Sequence, residues 1–154
     1  MTPDKPSHAA TAAVGRYAAL ALRRDVSLGV LLSTSARDFA VLLAAAAQSF
    51  PKGREFSERE VNDLLRAFLG DAGSMLGTDH VELRRWLVDF HVLDRDGYGR
   101  VYTAGAPAAD IAGSCEQLAG VDLPAVARAA RDADAALRAQ RKERWQNAER
   151  NSRG

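Results

Sequence analysis

From Phe39 to Ala47 the chain reads Phe-Ala-Val-Leu-Leu-Ala-Ala-Ala-Ala, without one polar side chain. The run is far shorter than the roughly 20 apolar residues that cross a bilayer, so it predicts a buried helix and no membrane span. A helix without a polar face has to be covered on every side by other parts of the molecule. The expected helix covers about Ala36 to Ser49, with an N-cap offered by the hydroxyls of Ser33, Thr34 and Ser35. It must stop near Phe50, because Pro51 disfavours a helical predecessor and Gly53 follows.

The next element is delimited by its ends. Ser57-Glu58-Arg59-Glu60 has the form of a capping box, in which Ser57 accepts from the amide of Glu60 and Glu60 reaches back. Val61, Leu64, Leu65 and Phe68 then recur at helical spacing until Gly70 closes the helix. Gly70-Asp71-Ala72-Gly73-Ser74-Met75-Leu76-Gly77 predicts a flexible connecting loop, and it lacks the Gly-Lys-Ser/Thr ending of a phosphate loop. Thr78 or Asp79 opens a third helix with an apolar stripe of Leu83, Trp86, Leu87 and Phe90. Val81, Arg85 and Val88 fall opposite that stripe.

Leu93-Asp94-Arg95 and Arg100-Val101-Tyr102 flank Asp96-Gly97-Tyr98-Gly99, a strong hairpin signal. Three helices followed by a hairpin is the order of a winged helix. The expected fold is therefore mainly α with a small β-hairpin: winged-helix-like, a helix-turn-helix plus a wing, with N- and C-terminal helical extensions. The divisions are a lead-in over 1–8, an N-terminal helix and connector over 9–35, the winged-helix-like domain over 36–103, a linker over 104–122, and a basic C-terminal helix with a frayed tail over 123–154. In the last of these, Asp122 is placed as N-cap and Pro124 in the first turn.

Charge is unevenly distributed along the 154 residues. Residues 36–103 sum to −2, residues 104–123 to −3 and residues 124–154 to +4. An acidic central domain with a basic tail is the reverse of a domain that binds DNA mainly through its own body. The single cysteine, Cys115, cannot form an internal disulfide and reads as a small buried hydrophobe, and with no secretory signal at the N-terminus a reducing cytoplasm is expected.

Taken in order, Phe56-Ser57-Glu58-Arg59-Glu60-Val61-Asn62, Leu83-Arg84-Arg85-Trp86-Leu87-Val88-Asp89, Leu93-Asp94-Arg95 and Gly99-Arg100-Val101-Tyr102 resemble an uncharacterised bacterial domain family. The family pattern runs aromatic-S/T-E-x-E-V-N, L-R-R-x-L-V-D, L-x-R and G-x-x-Y. The resemblance covers about residues 28–103. It implies a winged-helix-like fold found alone or joined to winged-helix transcription regulators, hence a regulatory setting and no reaction. Two departures are visible: the 70–77 loop is longer than usual, and His91 stands where a helix-ending glycine is common.

The site candidates follow from this frame. Arg84 and Arg85 are placed to meet the major groove, and Arg95 and Arg100 on the wing to hold phosphates. The competing reading pairs Arg84 or Arg85 with Glu58, Glu60 or Asp89 as structural ion pairs. Arg141, Lys142 and Arg144, beside Trp145, suit nonspecific nucleic-acid contact or a simple solvated helix face. His80 and His91 complete no metal spacing, and neither a nucleophile with its base nor paired carboxylates in a named pattern is found. No metal, cofactor or catalytic residue is expected. Three readings stay open: a module associated with double-stranded DNA, a protein-interaction module or homodimer, and RNA or ribosome association through the basic C-terminal helix.

Overall fold

A computed structural model describes residues 8–154, with side chains from Ala12 onward. The apolar run becomes the centre of the molecule, helix α3 (Ala36–Ala47), in which every residue from Phe39 to Ala46 is buried. Its N-cap is Ser35, which accepts from Asp38. Three helices pack against it: α1 (His8–Leu20), α2 (Leu28–Thr34) and α6 (Ala109–Leu118). The lead-in expected over 1–8 lies outside the described residues, apart from His8 where α1 begins.

Two stretches expected to be irregular are helical. Leu28–Thr34, expected as a connector, is α2: Ser27 caps it by accepting from Val30, and Leu28 and Leu31 point into the core. The stretch 104–122, expected as a linker, contains α6. Its Ala, Gly and Ser residues give no wide apolar stripe, yet small side chains let it approach the alanines of α3 closely. Ile111 and Leu118 anchor it. Gln48 at the end of α3 donates from Nε2 to the carbonyls of Leu118 (2.6 Å) and Val121 (3.2 Å), which ties down the C-terminal end of α6.

The 70–77 loop, expected to be flexible, is pinned instead, with Ala72, Gly73, Met75 and Leu76 buried. Tyr17 donates from its hydroxyl to the Ala72 carbonyl at 2.8 Å, and Val26 exchanges backbone bonds with Met75 and Gly77 at 2.9 and 3.0 Å. A Cβ at Gly73 would run into the Phe68 ring, so the glycine there serves close packing. The loop's length is used to dock the N-terminal segment.

The remaining elements are β1 (Glu55–Ser57), α4 (Glu58–Leu69), α5 (His80–Asp89), β2 (Leu93–Arg95), β3 (Val101–Ala104) and α7 (Leu123–Ser152). The capping box of α4 forms with both of its bonds. The strands make an antiparallel sheet of order β1-β3-β2, so the expected hairpin gains a third strand. Phe56 sits opposite Tyr102 in the β1–β3 pair, and Arg95 opposite Tyr102 in the β2–β3 pair. Phe50 meets Phe56 edge-on at 5.3 Å and Phe39 meets Phe90 at 4.8 Å, joining α3 to the sheet and to the end of α5.

α7 has its expected N-cap, Asp122, which accepts from Ala125 at 3.1 Å, and Pro124 in its first turn. Leu123 and Ala127 are buried, but beyond Asp134 every residue is exposed. About 27 Å of helix, from Ala135 to Ser152, therefore runs without cover among the described residues. None of the described helices is long and apolar enough to cross a membrane.

Candidate nucleic-acid interface

The sequence sets α5 with clear signals at both ends. Asp79 caps it by accepting from the Glu82 amide at 2.8 Å. At the other end His91 adopts φ +59°, Val92 donates to the Leu87 carbonyl at 2.9 Å and His91 to the Val88 carbonyl at 3.1 Å. This is a Schellman ending in which histidine occupies the left-handed position usually given to glycine. Leu83 and Leu87 are buried and fix the rotation of the helix. Trp86 packs edge-on to Phe39 at 5.6 Å. Val81, Glu82, Arg85 and Asp89 consequently face solvent, and no other described segment covers them.

The ribbon beside α5 turns on one carboxylate. Asp96 Oδ1 accepts from the amides of Arg100 at 2.8 Å and Val101 at 3.3 Å, and the Arg100 amide foremost holds its carboxyl below the usual range. Gly99 takes φ +68°, a conformation that closes the turn at little steric cost. Tyr98 stands at the tip, 87% exposed.

The arginines separate into groups. Arg84 is withdrawn from the surface expected of it: its Nη1 lies 3.0 Å from Glu58 Oε1 and donates to Asn62 Oδ1 at 2.6 Å, leaving the side chain 19% exposed. It joins α5 to the first turns of α4, as the ion-pair reading anticipated. Arg85, one residue on, points the other way. Among the described residues Arg85, Arg95 and Arg100 are exposed and have no ion-pair partner. Of the neighbouring acids, Glu82 accepts from the Thr78 hydroxyl at 2.8 Å and Asp94 lies 3.7 Å from His91 Nδ1.

Arg141, Lys142 and Arg144 lie on the uncovered half of α7, which packs on α1 rather than on α5. They do not join Arg85, Arg95 and Arg100 in one site. Asn62 and Tyr98 were not among the expected site residues. Asn62 follows Glu58 by four positions, the spacing that puts both on one side of α4 facing α5. The Cys115 thiol is half-buried and burial pushes its pKa up, which suits a packing role.

The fold and the site define a mainly helical protein with a small three-stranded antiparallel sheet, whose second sheet-flanking helix presents an open outer side. Residues 31–104 match the family described as "Uncharacterized protein conserved in bacteria (DUF2087)". The match begins inside α2 and ends with β3, so α1, α6 and α7 fall outside it. Comparison with curated proteins and with solved structures gave no match.

Proposed function

We propose that residues 36–103 act as a winged-helix domain in a DNA-associated regulatory module, with α5 lying in the major groove and the β2–β3 ribbon beside it as the wing. The carrying observation is the element order α3-β1-α4-α5-β2-β3, closed by a sheet of order β1-β3-β2, with the outer side of α5 uncovered. Arg85 is the guanidinium available to a guanine edge, and Arg95 and Arg100 are available to phosphates. Two phosphate contacts imply only a shallow salt dependence, a slope of about −2 in log K against log salt.

Fluorescence anisotropy on duplex fragments tests this. Arg85→Glu is expected to remove sequence preference. Arg100→Ala is expected to weaken all duplexes alike and to reduce the salt slope by about 1. Failure to bind any duplex at low salt contradicts the proposal.

A second reading, a protein partner on the same side of α5, is favoured by Glu82 and Asp89, which flank Arg85, and by Val81, which is 40% exposed. Carboxylates beside the cation lower affinity for a phosphate backbone and suit a mixed protein surface. The double substitution Glu82→Lys, Asp89→Lys separates the two readings. It strengthens duplex binding if DNA is the partner and weakens the complex if a protein is.

A further inference from the structure

On another side of the molecule, the end of α1, the 70–77 loop and α7 border an open cleft of about 930 Å³. Arg23 and Arg24 enter it from the turn after α1, and Arg131 and Arg138, one heptad apart, from α7. Arg131 is built into the wall: its Nε donates to the Ala21 carbonyl at 3.2 Å and its Nη2 to the Ser74 hydroxyl at 3.0 Å. It thereby caps the C-terminal end of α1 with a positive charge, the favourable sign there.

Two carboxylates also line the cleft, Asp25 and Asp134. Asp134 is already paired with Arg138 at 3.1 Å. Among the described residues Arg23 and Arg24 have no ion-pair partner, so the cleft keeps a net positive charge with guanidinium donors at its rim. Its exposed apolar walls are Leu22 and Ala135, with Met75 buried behind them. The volume lies within the range of small-molecule sites, roughly 300–1,000 Å³.

We infer that this cleft binds a phosphorylated small molecule of nucleotide size, with its phosphates against the guanidiniums of Arg23, Arg24 and Arg138 and its uncharged part against Leu22 and Ala135. Guanidinium forks match phosphate oxygens in geometry and charge, and a charged recess concentrates the field that draws such a ligand in. An extended polyanion fits less well, because α7 leads away from the cleft as an open helix with no facing wall. The inference is independent of the α5 reading, since the two surfaces share no residue.

Isothermal titration of the full chain with adenosine triphosphate, tripolyphosphate and an oligothymidylate, without divalent cations, tests it. Adenosine triphosphate is expected to bind at one site, and tripolyphosphate more weakly for want of an apolar part. The double substitution Arg23→Glu, Arg138→Glu is expected to weaken both by about tenfold or more. Arg85→Glu is expected to change neither. If the double variant fails to fold by circular dichroism, Arg24→Gln serves instead, with an expected loss of about threefold or more. The inference is overturned by absence of saturable binding to both small probes, or by variants that bind as the parent does. It is also overturned if oligothymidylate binds more tightly than adenosine triphosphate and loses that binding on Trp145→Ala, which moves the contact to the open half of α7.

Discussion

α6 and the outer half of α7 both lie outside the matched segment, and they stand in opposite relations to the core. α6 is built from alanine, glycine and serine with few large apolar side chains, yet it covers α3 and α1 and buries Ile111 and Leu118. The outer half of α7 is rich in strong helix formers, yet exposes everything beyond Asp134, including Leu137 at 51% and Trp145 at 63%. Helix propensity therefore says whether a segment coils, while complementarity of shape says whether it joins a core. α3 supplies that complementarity for α6, because Ala40, Ala44 and Ala47 lie beside α6 residues.

The contrast can be broken by truncating side chains. Ile111→Ala and Leu118→Ala are each expected to lower stability by about 2–5 kcal/mol in urea titration, since each leaves a cavity against α3. Losses below about 1 kcal/mol would make α6 a loosely attached segment. Next in size is Tyr17→Phe, expected to cost about 1–3 kcal/mol because the Ala72 carbonyl loses its donor in a buried position.

Tyr17 also gives the covered side of the molecule a pH signature. Burial foremost pushes its pKa up, from 10 to about 12, with Asp71 acting in the same direction and Arg131 against it. The folded state holds the proton more tightly than the unfolded chain does. The resulting stability is therefore complete below about pH 10 and is lost as pH rises through the window from 10 to 12. Tyr17→Phe should show a smaller fall across that window than the parent, as read by thermal melting at each pH. An equal fall would place the alkaline sensitivity elsewhere.

Arg84 and Arg85 show the same contrast between covered and open side chains within two residues. Arg84→Ala breaks the contacts with Glu58 and Asn62 and is expected to cost about 1 kcal/mol. Arg85→Ala should stay within about 0.5 kcal/mol of the parent, as should removal of residues 136–154. Chemical denaturation of the three variants checks these values. A large loss on the truncation would show that the outer half of α7 has a partner in solution.

The sequence made some elements plain because their signals are local. The capping box at Ser57 and Glu60, the polar-free run in α3, the turn at Asp96–Gly99 and the Asp122–Pro124 helix start each depend on neighbours in the chain. The opposite placement of Arg85 and the Leu83–Leu87 stripe was legible for the same reason. What escaped depends on distant partners. β1 has three residues and exists by pairing with β3, where Phe56 meets Tyr102. α6 exists against α3, and the 70–77 loop is ordered by Tyr17 and Val26, far away in sequence. Arg23, Arg24, Arg131 and Arg138 are gathered only when α7 folds back on α1, so no spacing along the chain announces their cleft.

Amide chemical-shift mapping on addition of a duplex tests most directly the proposal that α5 and its ribbon form one DNA-facing surface. Perturbations concentrated at Val81–Asp89 and Arg95–Val101 are expected, with the 135–152 segment of α7 little affected. Perturbations confined to α7, or none at saturating duplex, would contradict it.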